Sequence, residues 1–160
     1  MTDSQVDRVA VRVEDLEAAV RDFAEIFGME FEITDVPEFG IRVAICDQGI
    51  ELVQVMDAKS RIVTNYAGGV LAALSVKVQD IESVKQKLLQ RGVELINEAD
   101  ALDFKEFYCV SATFHGLPLT VSRYGDSFLE ALHGAGEMPP DYQPRVHWYK
   151  KEFAPPSSQE

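Results

Sequence analysis

Cysteine, histidine, tryptophan and positive charge are all scarce in this chain of 160 residues. Two cysteines, Cys46 and Cys109, are too few for a disulfide framework. Both lie in apolar strand-like runs and read as buried free thiols, which fits a cytoplasmic protein. Only 15 basic residues stand against 27 acidic ones, and the resulting net charge of −12 would be repelled by nucleic-acid phosphates. No apolar run reaches membrane length, and Met1-Thr-Asp-Ser-Gln is too polar for a signal peptide. Neither nucleic acid nor a membrane is expected as a partner. No phosphate loop, CxxC pair or Ser/His/Asp constellation is visible. His115 falls at a hairpin turn and reads as a surface residue. His133 and His147 sit in a C-terminal stretch and support no metal cluster.

What the chain has instead is a repeat. Val9-Ala-Val-Arg-Val-Glu-Asp-Leu-Glu-Ala-Ala, running on to Gly28, is restated from Leu74 as Leu-Ser-Val-Lys-Val-Gln-Asp-Ile-Glu-Ser, running on to Gly92. Each copy opens on alternating apolar residues, the mark of a half-buried strand. Asp15 and Asp80 then sit where a helix needs an oxygen for its orphan amides, and Gly28 and Gly92 where a left-handed residue ends it. A repeat of this size implies one domain built from two similar halves, and 46% hydrophobic composition suffices for a single core.

In chain order, the spacing predicts strands over 29–36, 40–46 and 50–56 after the first helix, with a hairpin turn at Asp47-Gln-Gly49. A connector over 57–69 contains one helical turn around Ile62 to Tyr66. The second half is expected as strand 71–78, helix 81–91, short strand 93–96, loop 97–103, long strand 104–114 and last strand 117–124. The modules thus span 6–56 and 71–124 of a domain over 1–125, and residues 126–160 form a C-terminal extension. That extension, with a helical segment over 127–133 and aromatics at Trp148, Tyr149 and Phe153, is expected to lie over an existing surface and not to extend a sheet.

Two βαβββ halves with these sequences resemble the vicinal oxygen chelate superfamily of glyoxalase I, extradiol dioxygenases, bleomycin-resistance proteins and methylmalonyl-CoA epimerase. Phe39-Gly-Ile-Arg-Val-Ala-Ile, Gly49-Ile-Glu-Leu-Val-Gln and Val76-Lys-Val-Gln-Asp-Ile-Glu carry the likeness alongside the first repeat, and the segment from Val36 looks most like the epimerase branch. The resemblance implies an α+β fold whose cupped mixed sheet surrounds a central cavity, and it allows a homodimer. It also implies a divalent metal held by one side chain from the first and last strand of each half. Those positions here are Arg8, Glu51, Ala73 and Thr120. Only Glu51 is a competent ligand, since arginine is a permanent cation and alanine has no donor. Neither a metal nor any other cofactor is therefore expected.

Strand parity indicates what else faces the cavity. If Val9, Val11 and Val13 pack under the helix, then Arg8, Ala10 and Arg12 point inward, as do Ser75, Lys77, Glu51, Thr120 and Ser122. Arg8, Arg12 and Lys77 together suggest an anionic small-molecule ligand, although a solvated side chain is the default for Arg12 and Lys77. Ser75, Thr120, Ser122 and Tyr108 offer hydroxyls to such a ligand. Glu51 has two readings, a general base or acid working with Arg8, or simply the ion-pair partner of Arg8. Two functions follow. One is a metal-independent lyase, decarboxylase or isomerase acting through Glu51 and Arg8 on a small carbonyl or carboxylate compound, with a CoA ester as one candidate. The other is a non-catalytic binding protein like the bleomycin-resistance branch. A free Glu51 facing the cavity favours the first; a Glu51 locked to Arg8 favours the second.

Overall fold

Asp15 and Asp80 start the two helices. In the computed structural model, which describes residues 3–57, 71–101, 103–127, 129–131 and 145–154, α1 (Leu16–Phe27) opens with Asp15 accepting from the Ala18 amide at 2.9 Å. α2 (Ile81–Gln90) opens with Asp80 accepting from the Ser83 amide at 2.9 Å. Each bond satisfies an amide that the first helical turn leaves without a partner. Gly28 and Gly92, at φ 66° and 78°, adopt the left-handed conformation that lets the chain leave each helix.

The strands are β1 (Ser4–Arg12), β2 (Glu32–Val36), β3 (Ile41–Ile45), β4 (Ile50–Val55), β5 (Leu71–Val78), β6 (Leu95–Ala101), β7 (Phe104–Cys109), β8 (Leu119–Arg123) and β9 (Arg145–Trp148). They form one mixed sheet in the order β2-β3-β4-β1-β5-β8-β7-β6-β9. Within each half the first and last strands run parallel, β1 beside β4 and β5 beside β8. The halves meet where β1 pairs antiparallel with β5, so both belong to the same chain.

Three apolar clusters follow from this arrangement. Leu16, Ala44 and Leu52 are buried under α1 together with Val11, Val13 and Phe23. Leu88, Val93, Phe107 and Val121 are buried under α2. The third cluster fills the concave face of the sheet, where Ala10, Val43, Val53, Ala73 and Ile96 pack with Phe39, Tyr108, Leu129, Trp148 and Phe153. The last three come from the C-terminal extension. No helix among the described residues is long and apolar enough to cross a membrane.

The structure departs from the sequence reading in five places. Residues 97–101 are strand and not loop, because β6 finds backbone partners on both sides, β7 and β9. The long strand expected over 104–114 stops at Cys109, where Ser111–Thr113 turns into a 3₁₀ segment and Thr113 Oγ1 donates to the Val110 carbonyl at 2.7 Å. Residues 29–31 and 117–118 fall outside the strands assigned to them. Most consequentially, β9 extends the sheet, contrary to the expectation that the tail only lies over a surface. The connector turn at Ile62 to Tyr66 lies outside the described residues, as does His133.

Candidate functional site: a guanidinium held by three carboxylates

The site is laid out in a row across the concave face. Strand register places Arg8 opposite Ser75, Ser75 beside Thr120, Thr120 opposite Tyr108, Tyr108 opposite Asn97 and Asn97 opposite Trp148. Directly paired residues share a face, so six strands contribute one line of side chains running from a cation to an indole. Parity turns Arg8, Ser75 and Thr120 inward, and all three line the cup; Tyr108, named for its hydroxyl alone, lines it too. Ser75 and Thr120 are almost completely buried.

Arg8 is the hub at one end. Its Nε donates to Glu51 Oε2 at 2.7 Å, its Nη2 to Glu106 Oε2 at 2.7 Å, and its Nη1 to Asp7 Oδ2 at 2.5 Å and Ser75 Oγ at 3.2 Å. The Arg8–Glu51 contact expected from the sequence is present, but not as a two-pronged pair. The guanidinium fork is divided among three acids. Arg8, Asp7, Glu51 and Glu106 side chains are only 7%, 8%, 14% and 6% exposed, so these charges depend on one another and not on water.

Two of the three acids escape the sequence reading. Glu106 pairs in register with Ser122, which alternation does turn inward, so its face follows once β7 is set beside β8. Asp7 carries no such signal. By simple alternation it belongs to the opposite face from Arg8, but a register shift between Val6 and Arg8 interrupts the β1–β5 ladder at Asp7. The irregularity lets both neighbours turn inward. Asp7 also accepts from the Tyr124 hydroxyl and approaches Ser75 and Ser122.

Three carboxylates around one guanidinium leave a surplus of negative charge in a buried place. Burial pushes the Glu106 carboxyl above its usual range and the nearby charge of Glu51 adds to the effect, against the pull of Arg8. Burial works against the Arg8 charge as well, but Glu106 and Glu51 outweigh it and raise its pKa further. Burial and the Asp7 contact together push the Tyr124 phenol upward.

Of the three cations expected to gather an anion, Arg8 and Lys77 share the wall of one pocket and Arg12 stands apart. Arg12 is exposed at the end of β1. Lys77 donates to the Gly125 carbonyl and lies 4.0 Å from the centre of the Tyr124 ring. Ser122 is buried against Ser75 at 3.4 Å. Of the three cations only Arg8 lines the cavity of the cup, together with Glu51, Ser75, Thr120, Tyr108 and Phe39. That cavity holds about 30 Å³, room for a water or two. Above it Phe39 meets Trp148 edge to face at 5.7 Å and Tyr108 at 6.2 Å. A wider pocket of about 330 Å³ is lined by Asp7, Arg8, Asp47, Lys77, Tyr124 and Ser127.

At the far end of the row, Asn97 is completely buried and neither its Nδ2 nor its Oδ1 has a hydrogen-bond partner among the described residues. Leaving a buried polar group unpaired costs roughly 1–3 kcal/mol. The sequence reading placed Asn97 in a loop and so missed it. His115 sits in its turn at φ 53°, and His147 lies at the edge strand against the Tyr149 ring. Cys46 and Cys109 are free and buried. Burial alone raises the Cys109 thiol to about 12.

The donor set does not fit the divalent metal that the fold implies. Among the positions corresponding to its ligands, a guanidinium occupies one, Ala73 and Thr120 supply no strong donor, and Glu51 is engaged by Arg8. No group of three or more metal-ligating side chains is assembled among the described residues.

Residues 7–108 match the Glyoxalase/Bleomycin resistance protein/Dioxygenase superfamily. The chain belongs to this family. No curated protein matches it by sequence. Among solved structures, methylmalonyl-CoA epimerase from Mycobacterium tuberculosis is 20% identical, with 76% of this chain and 88% of that one covered at a TM-score of 0.63. A variant of the Streptomyces coelicolor methylmalonyl-CoA epimerase in complex with 2-nitronate-propionyl-CoA is 14% identical, with 76% and 98% covered and a TM-score of 0.62. A hypothetical protein from Bacillus halodurans C-125 is 17% identical, with 78% and 97% covered and a TM-score of 0.65. At these identities the likeness is one of fold.

Proposed function

We propose that this chain binds a small molecule in its apolar cup and does not turn it over. One observation carries the reading. Glu51, the only acid among the family's metal positions, has its Oε2 on Arg8 Nε at 2.7 Å, and Arg8 is also committed to Asp7 and Glu106. A general base in that position must first surrender its ion pair, and a substrate anion finds no uncompensated cation among the described residues of the cavity wall. The walls are otherwise apolar, with Ala10, Ile41, Val53, Ala72 and Phe39 facing hydroxyls from Ser75, Thr120 and Tyr108. Such a lining selects shape and a few polar contacts. The ligand enters by displacing Phe39 and Trp148, which close the cup.

The test uses the substrate named for the epimerase relatives. Methylmalonyl-CoA in D₂O with stoichiometric protein is expected to keep its C2 proton at the buffer rate, followed by NMR. Exchange well above that rate, removed by Glu51→Gln, would overturn the binding reading.

A second reading has one observation in its favour. Glu51 lines the cavity while Glu106, on the same guanidinium, has its pKa raised by burial. Two carboxyls in different environments are the starting arrangement for a base and an acid. On that reading the protein is a metal-independent lyase or isomerase, and Glu51→Gln removes activity while keeping the fold.

A further inference from the structure

We infer that Asn97 is the recognition group for the ligand's polar end, and that this end is an uncharged amide-type edge. The inference rests on the ligand-binding reading above and names the chemistry that the cup selects. Asn97 is buried completely, with both halves of its amide unpartnered among the described residues. Its two ladder partners, Tyr108 and Trp148, are cup residues, and Thr120, one step beyond Tyr108, lines the cavity.

The backbone is shaped to bring Asn97 there. A register shift between Leu95 and Asn97 breaks the β6–β7 ladder at Ile96. Leu95 packs under α2, whereas Ile96 packs in the cup. Strict alternation from Leu95 would put Ile96 in the cup and return Asn97 to the α2 face; the irregularity turns both toward the cup. A leucine would fill the same space among these rings without stranding a donor and an acceptor. An orphaned amide kept here therefore calls for a partner that the apolar walls lack.

The partner's chemistry follows from the fork. Asn97 presents one N–H donor and one C=O acceptor side by side. The complement is an N–H next to a C=O, as in a primary carboxamide, a lactam or an imide, which closes two hydrogen bonds at once. A carboxylate turns a second acceptor toward Asn97 Oδ1 and is repelled. A ketone satisfies only one of the two groups. Sites built to pair both groups reject analogues that leave one of them unpaired.

Trp148 is the single tryptophan of the chain and the register neighbour of Asn97, so its fluorescence reports on this end of the cup alone. The probes are benzamide, benzoate and acetophenone, close in size and shape, titrated against the full-length protein. Benzamide is expected to perturb Trp148 with a Kd at least tenfold below those of the other two. In Asn97→Leu that preference is expected to vanish, with a higher Tm. Equal binding of all three probes to the wild type, a preference for benzoate or acetophenone, or a benzamide preference that survives in Asn97→Leu would overturn the inference and leave the binding reading standing. A lower Tm in Asn97→Leu would also overturn it, marking the amide as structural. No response to any probe would overturn both. The wild-type comparison decides even where the variant does not fold.

Discussion

Asp7 and Arg8 are consecutive in sequence, yet their side chains meet on one side of β1, with Arg8 Nη1 2.5 Å from Asp7 Oδ2. A regular strand sends neighbours to opposite faces. The ladder irregularity between Val6 and Arg8 removes that constraint, and the result is a third carboxylate on a guanidinium already bound to Glu51 and Glu106. The cup therefore has a charged end that is internally compensated and an apolar interior that is not asked to hold a charge.

Removing the hub leaves three buried acids with no cation. Arg8→Ala is expected to lose about 3–5 kcal/mol of stability, the usual cost of deleting one partner of a buried ion pair. Urea unfolding at neutral pH measures it. A loss below about 1 kcal/mol would mean that the cluster is hydrated and not buried.

Glu106 gives the cluster a pH dependence with a definite sign. Its folded pKa is raised, so the native state holds this proton more tightly than the unfolded chain does. The associated stability is fully present below the unfolded glutamate value and is lost as pH rises through the higher folded one. Glu106→Gln, neutral at every pH, is expected to gain on the wild type across that window and to match it most closely below it. Urea midpoints measured from pH 4 upward in both proteins check this; parallel curves would refute it.

Tyr124 holds Asp7 in place from β8's end of the sheet by donating its phenol proton. Tyr124→Phe removes a hydrogen bond to a carboxylate, worth about 1.5–3 kcal/mol. The folded pKa of the phenol is raised above 10, so the stability it confers is present below the unfolded tyrosine value and lost above it. The variant should differ from the wild type at pH 7 and lose part of the alkaline decline.

Truncation after Gly125 is expected to damage folding itself. It strips β9 from β6 and removes Leu129, Trp148 and Phe153 from the cup cluster. The exposed β6 edge and the uncovered apolar face both favour association. Size-exclusion chromatography and circular dichroism should show aggregated or poorly structured protein. A monomeric truncated chain with native circular dichroism would assign the extension a covering role only.

Local signals in the sequence were enough for the two helices, their aspartate caps, and the inward parity of Ala10, Glu51, Ser75 and Thr120. Each depends on residues a few positions apart. Asp7 and Asn97 were out of reach because each follows or forms a break in a ladder, and one displaced residue inverts parity from that point on. β9 was out of reach for another reason. Its strand identity depends on finding the β6 edge, and four residues from Arg145 to Trp148 carry no periodicity that announces such a partner.

The seam between β1 and β5 lies inside a single chain, and this has a consequence for how the walls are written. In a cup assembled from two identical copies, every side chain recurs across the symmetry axis and a bound molecule meets the same surface twice. Here each wall is encoded independently. The first half supplies Arg8, Ala10, Ile41, Glu51 and Val53, while the second supplies Ala72, Ala73, Ser75, Tyr108 and Thr120. The cavity is therefore asymmetric by construction, with a guanidinium and a carboxylate on one flank and three hydroxyls on the other.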